Sequence, residues 1–396
     1  MMHRRARFFV AAGALVAMLA ASVIALSPRA ATGSPKGTAP LARAAVATML
    51  PPRDVLTLQM FSTTLGVAVA RTATTGALTG SYLTETTDGG VRWRALATLP
   101  PSLALPAVPP PSIAFLSPSQ GYVLDPESGA LLYTADAGLR WTSVAVPGRP
   151  THLTLVGGVL WVTSADCAPG TTIHDFCRTD LVRIAMGATQ PTAVHSVPTL
   201  GPVRTAARHR APWAATLLDW IAGHTAVFAE GVQGEPTSLL ATTDGGRSFH
   251  LLTNPCTHLG LGGLAVRRRG QWILYCSLGA GQDRGTNEIW SSADDGRRWR
   301  LLAETTTGHH HNIGRIGGVV AFELHASNNG RVLWLLSGVG AVQESNNGGH
   351  SWHTAKGVTA GYDSPLATAG PRAAWLADPG VGIYRTLNGK RWRLLR

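Results

Sequence analysis

A chain of 396 residues has room for one large all-β domain or for two to three ordinary ones. With 14% charged and 45% hydrophobic residues, 45 Gly and 25 Pro, its composition excludes a disordered chain and a helical bundle, and suits many short strands joined by turns. The formal charge is +12, carried almost wholly by arginine; the only lysines are Lys36, Lys356 and Lys390, a bias that reflects a GC-rich bacterial genome and not a function.

The N-terminus reads as a targeting segment. Arg4, Arg5 and Arg7 precede an uncharged apolar run from Phe8 to Leu26. That run is long for a signal-peptide core and just long enough to cross a bilayer as a helix. Residues 1–26 are therefore a cleaved signal or a retained anchor, and in both cases the arginines stay inside and the remainder is exported. The flanks of Arg4-Arg5 match a twin-arginine signal poorly. Residues 27–52 are rich in Pro, Ala and Thr, lack periodicity, and read as a linker.

From residue 53 onward a motif recurs. It begins as TTDGGVRW at Thr86, TADAGLRW at Thr134, TTDGGRSF at Thr242, SADDGRRW at Ser292 and SNNGGHSW at Ser345, with a shortened TLNGKRW at Thr386. The pattern is Ser/Thr, any residue, Asp/Asn, any residue, Gly, two further residues and an aromatic. Its third-position residues are Asp88, Asp136, Asp244, Asp294, Asn347 and Asn388. Neighbouring copies lie about 40 to 55 residues apart, except that Asp136 and Asp244 are separated by two such periods. One copy is thus degraded, around THLTLVGGVLWVTSADC and TDLVRIAMG.

Each motif follows an apolar run, a turn and a second short apolar run, as in QGYVL ahead of YTADAGLRW. Such runs read as antiparallel strands, and about 50 residues per unit leaves room for four. Four-stranded units repeated about an axis make a β-propeller. Residues 53–396 are expected to form seven four-stranded antiparallel blades, with six as the alternative count.

The residue types of the motif suit a hairpin turn. Asp or Asn accepts backbone N–H groups further along, Ser or Thr adds a local bond, and Gly supplies positive φ. The glycines are Gly90, Gly138, Gly246, Gly296 and Gly349; the closing aromatics are Trp93, Trp141, Phe249, Trp299, Trp352 and Trp392, each expected to pack on its own blade. Asn347 and Asn388 stand where other copies have Asp. An Asx turn tolerates that exchange, but a general base or metal ligand does not, so the motif reads as structure and not as a reactive site.

Four cysteines agree with export. They allow three pairings, of which the local one, Cys167 with Cys177 and Cys256 with Cys276, needs the least rearrangement. None forms a C-x-x-C pair, and no metal site or cofactor is expected. Two basic runs, with Arg204, Arg208 and Arg210 and with Arg267, Arg268 and Arg269, are a candidate patch for an acidic partner; the competing reading is a solvated hairpin edge. His309, His310 and His311 read as a polar loop.

The motif resembles the Asp-box, or bacterial neuraminidase repeat, found in sialidases, sortilin-type receptors, xyloglucanase-type glycosidases and the photosystem II assembly factor family. The resemblance covers nearly all of the exported part, and in texture the repeats are most similar to the assembly factor propellers. It implies a motif on the outer rim, away from the central face. A sialidase would need an arginine triad, a Tyr–Glu pair, an Asp acid/base and an Arg-Ile-Pro stretch; the last is missing, and of six tyrosines only Tyr362 has no place in a repeat. Tyr82, Tyr133 and Tyr384 lie in the run before a motif, at comparable strand positions. A two-carboxylate hydrolase would have to pair some of Asp219, Asp283, Asp363, Asp378, Glu235 and Glu323, which the sequence leaves scattered. The expectation is therefore an exported, non-enzymatic scaffold that binds a protein or an anionic cell-envelope polymer and no nucleic acid, touching the membrane only through its N-terminus. The alternative is a carbohydrate-active hydrolase on the same fold.

Overall fold

The computed structural model describes residues 48–49, 54–74, 77–101, 103, 111–125, 128–166, 178–198, 216–222, 224–230, 238–256, 260–268, 270–277, 287–305, 314–316, 321–337, 340–361 and 364–396. All of them belong to one compact unit, residues 43–396. Among them no helix is long and apolar enough to cross a membrane; residues 8–26 lie outside the described set.

Seven antiparallel sheets follow one another along the chain, each built from four consecutive strands. Blade 1 holds Val55–Met60, Gly66–Thr74, Ala77–Thr86 and Trp93–Thr98. Blade 2 holds Ser112–Ser117, Gln120–Asp125, Ala130–Thr134 and Thr142–Ser143; blade 3 holds Arg149–Val156, Val159–Asp166, Arg178–Ala185 and Ala193–Ser196. Blade 4 holds Thr216–Ala222, Thr225–Glu230, Ser238–Thr242 and His250–Leu252; blade 5 holds Gly260–Arg268, Gln271–Ser277, Asn287–Ser292 and Arg300–Glu304. Blade 6 holds Ala321–Ala326, Leu333–Ser337, Val342–Ser345 and His353–Thr354; blade 7 holds Leu366–Ala369, Ala373–Asp378, Gly382–Thr386 and Arg393–Leu394.

The first strand of each blade neighbours the first strand of the next, and that of blade 7 neighbours that of blade 1, so the sheets close into a seven-bladed β-propeller. Two short strands extend the outer edges. Thr48–Met49, inside the stretch read as linker, pairs antiparallel with the fourth strand of blade 1. Gly314–Arg315 pairs parallel with the fourth strand of blade 5.

Hydrophobic alternation puts apolar side chains on both faces of every sheet, and the core divides accordingly. Seven buried clusters are present, and each spans one pair of neighbouring blades. The motif aromatics join them in a way the sequence did not suggest. Trp93 lies in the seam with blade 7 and Trp141 in the seam with blade 1. Phe249, Trp299, Trp352 and Trp392 likewise face the preceding blade. The expected packing on the own blade is thus corrected: the aromatic leaves its hairpin on the side where the previous sheet lies. Tyr82 and Tyr384 face the preceding blade, whereas Tyr133 is one register step out of phase and faces the following one.

Candidate functional site

The motif joins the third and fourth strands of six blades, on the outer part of each sheet. In blade 1 the Thr86 hydroxyl accepts the Gly90 N–H at 2.8 Å and donates to Asp88 Oδ1 at 3.1 Å. Asp88 Oδ1 also accepts the Arg92 N–H at 2.9 Å, and Oδ2 accepts Arg92 Nε at 2.9 Å. Blade 5 repeats this with Ser292, Asp294, Gly296 and Arg298. Blade 2 uses Thr134, Asp136, Gly138 and the Arg140 N–H. In blade 4 a serine replaces the arginine: Ser248 donates its N–H to Asp244 Oδ1 and its hydroxyl to Oδ2.

Asn347 forms the same ties without a charge. Its Oδ1 accepts from Ser345 and from the Ser351 N–H, and its Nδ2 donates to Ser351 Oγ at 2.9 Å. In the shortened copy Asn388 Oδ1 accepts from Thr386 and from the N–H groups of Lys390 and Arg391. Three of the motif carboxylates, Asp88, Asp244 and Asp294, are held in their charged form. Bonds from the Arg298 side chain and N–H keep Asp294 at about 2, below the usual 3.8. Bonds from the Ser248 hydroxyl and N–H lower Asp244 further. At Asp88 burial pushes the pKa up, and the bonds from Arg92 outweigh it. Acids held this firmly ionised, with both oxygens engaged, are turn ties and poor proton donors.

The residue before each motif glycine has positive φ: Gly89, Gly245 and Gly348, but also Ala137 (60°) and Asp295 (58°). Asp295 is therefore not at an unconstrained position; it occupies a left-handed backbone that three copies fill with glycine. Its N–H and its counterparts reach the hairpin between the first and second strands of the same blade, as Gly89 does to the Thr64 carbonyl at 2.8 Å. Blade 3 has no motif. There the Tyr122 hydroxyl of blade 2 accepts the Gly187 N–H at 3.0 Å, doing for that turn what a Ser or Thr does elsewhere.

The other candidates fall as follows. Cys256 and Cys276 form a disulfide, while Cys167 and Cys177 lie outside the described residues. Arg204, Arg208, Arg210, Arg269 and His309–His311 also lie outside them. Arg267 and Arg268 end the first strand of blade 5. That hairpin is at the motif end of its blade, whereas the described strands flanking residues 199–215 meet that stretch at the opposite end.

Of the scattered acids, Asp378 accepts from Thr359 at 2.6 Å; the side chains of Asp219, Asp283, Asp363, Glu235 and Glu323, and Tyr362, are not among those described. Along the first strands no described side chain is a carboxylate. Gln59 instead holds both polar groups of the Phe115 backbone, Nε2 to O and Oε1 from N, each at 2.8 Å, and so laces blade 1 to blade 2. Among the described residues no group of three His, Cys, Asp or Glu side chains is placed to hold a metal ion. Two ties carried no strong sequence signal. Glu344 is fully buried and binds His353 and Trp392, and Ser327 with Asn329 closes the first hairpin of blade 6 as a small relative of the motif.

No protein-family model matches the chain, and no curated protein does. Solved structures do. A structure of YCF48 bound to D1 peptide is 16% identical, with a TM-score of 0.51 over 84% of this chain and 92% of that one. YCF48 from Cyanidioschyzon merolae is 14% identical, with a TM-score of 0.54 over 86% and 97%. A streptogramin B lyase is 10% identical, with a TM-score of 0.51 over 88% and 97%. The likeness is one of fold. A protein with a bound peptide and a lyase share it, so the platform alone does not choose between binding and catalysis.

Proposed function

We propose that this protein is a binding scaffold outside the cytoplasmic membrane of a bacterium, whose propeller holds an acidic segment of a partner protein. The observation that carries this reading is how charge is distributed on the described blades. The buried acids Asp125, Asp180 and Glu344 and the motif acids are bound to local donors. Arg183, Arg247, Arg297, Arg300, Arg372 and Arg393 pair with no described carboxylate. These six arginines outnumber the three described acids left without a donor, Asp54, Asp295 and Glu304, and in a chain of net charge +12 that balance favours an acidic partner. That one YCF48 structure of this fold has a peptide bound supports a protein partner over a wall polymer.

The test is crosslinking of the full chain in its own cells, with protease access to whole cells reporting its side of the membrane. A captured protein with an acidic segment, released by salt, is expected. Salt-insensitive capture, or turnover of a glycan on an array, overturns the reading.

A further inference from the structure

Blades 3 and 4 are separated on their outer part by a cleft of about 290 Å³. Its blade 3 wall is a row across three strands: Trp161 pairs with Arg183, and Arg183 with Ala193, while His195 lies two residues beyond. Its blade 4 wall is the motif turn, with Arg247, and the neighbouring His224. We propose that this cleft is a binding site for an oxyanion, a carboxylate or phosphate group carried on a small ligand.

Two independent features of the sequence leave cations there without partners. Arg183 stands two residues before the end of its third strand. It is the cross-strand partner of Trp161, the place that Arg385 takes beside Trp375 and Glu344 beside Trp334, where both are held by local partners. Arg183 is half-buried beside the nearly inaccessible Trp161, and its guanidinium forms no ion pair with a described residue.

Arg247 is released by a local exchange. In blades 1 and 5 the residue just before the aromatic is Arg92 or Arg298, and its guanidinium takes the motif carboxylate. In blade 4 that place belongs to Ser248, which satisfies Asp244 with N–H and hydroxyl. Arg247 lies one position earlier and is left facing the cleft.

Among the described residues Asp244 is the only carboxylate on the cleft wall, and Thr242 and Ser248 already bind it. Two guanidinium charges against one engaged carboxylate leave the cleft positive. Guanidinium forks match carboxylate and phosphate oxygens in pairs, and partial burial strengthens such bonds over those in open water. The volume is that of a small ligand site, about ten times the share of one water. The inference stands beside the proposed partner and does not depend on it.

The experiment is a calorimetric titration of the protein with inorganic phosphate, with N-acetyl-aspartate, and with uncharged N-acetyl-asparagine amide. Saturable binding of one or both anions, and none of the amide, is expected. Binding of phosphate alone names a phosphate-bearing source, and of N-acetyl-aspartate alone a carboxylate one. Arg183→Gln and Arg247→Gln should each weaken binding about tenfold, while Arg297→Gln, at the same motif position on blade 5, should change it less than about twofold. Arg247 is on an exposed turn, so its variant carries the test if Arg183→Gln does not fold. No saturable anion binding below about 10 mM, equal binding of the amide, or an equal loss with Arg297→Gln overturns the proposal.

Discussion

The indole Nε1 of Trp375 donates a 2.8 Å hydrogen bond to the carbonyl of Gly89, 286 positions earlier in the chain. Arg385 adds a second bond to the same carbonyl at 3.0 Å. No strand of blade 7 comes from the N-terminal region, so these side chains and the apolar seam around Trp93 and Trp375 are what close the ring. Trp334 holds the matching position in blade 6. The turn it faces, in blade 7, is one residue shorter and offers no equivalent carbonyl, and Trp334 Nε1 has no hydrogen-bond partner.

Trp375→Phe and Trp334→Phe remove the same ring volume, so their difference isolates the bond. Trp375→Phe is expected to cost about 1 kcal/mol more, because it removes the buried indole bond and leaves the Gly89 carbonyl with Arg385 alone. Urea unfolding of the two variants measures it; equal losses would show that the bond contributes nothing.

In the motif the hydroxyl matters more than the charge. Thr242 is fully buried, and its Oγ1 holds the Gly246 N–H at 2.8 Å. Thr242→Val keeps the shape and strands that N–H, at a cost of about 1–3 kcal/mol. Asp294→Asn keeps an acceptor, as Asn347 does, and should melt close to the parent at neutral pH. A larger drop for Asp294→Asn than for Thr242→Val in thermal unfolding contradicts this ordering.

Asp294 also sets an acid limit. Its folded value of about 2 is below the unfolded 3.8, so its ionised form favours the folded state. That contribution is complete above roughly pH 4 and is lost as the pH falls through about 2. The melting temperature of the parent should therefore fall relative to that of Asp294→Asn as the pH drops from about 4 to 2, and high salt should weaken the effect on this exposed pair. A gap that stays constant over that window refutes it.

Ala137 and Asp295 pay for a left-handed backbone that glycine adopts freely. Ala137→Gly is expected to raise stability by about 0.5–1 kcal/mol, against the usual direction of an Ala-to-Gly change. Calorimetric melting decides, and a fall in stability excludes strain at this turn.

The disulfide ties the segment after blade 4 to the second strand of blade 5, across 20 positions. Replacing Cys256 and Cys276 together by Ala should cost about 3 kcal/mol, with the same loss on reduction of the parent. Reduction without effect on the melting temperature would count against it.

The blade number was legible because the motif marks a fixed place in each unit, and a gap of two periods with one copy missing betrayed blade 3. The turn chemistry was legible because Asn347 and Asn388 vary the charge while leaving the acceptor in place. The seams were not. Whether Trp93 or Trp375 faces the previous or the next sheet depends on strand register, and a shift of one residue reverses it. Tyr122 replacing a missing hydroxyl, and the cation at Arg183, needed the neighbouring strand to be placed before either had meaning. The choice among cysteine pairings likewise needed the close approach of blades 4 and 5.

Because every blade is a continuous stretch of chain, the seam between blade 7 and blade 1 is the one of the seven that no peptide connection spans. A circular permutant that joins these two blades and begins between two others would keep every sheet whole. The position of the gap is then a matter of genetics rather than of architecture, and the ring could gain or lose a unit by duplication or deletion at any of its joints.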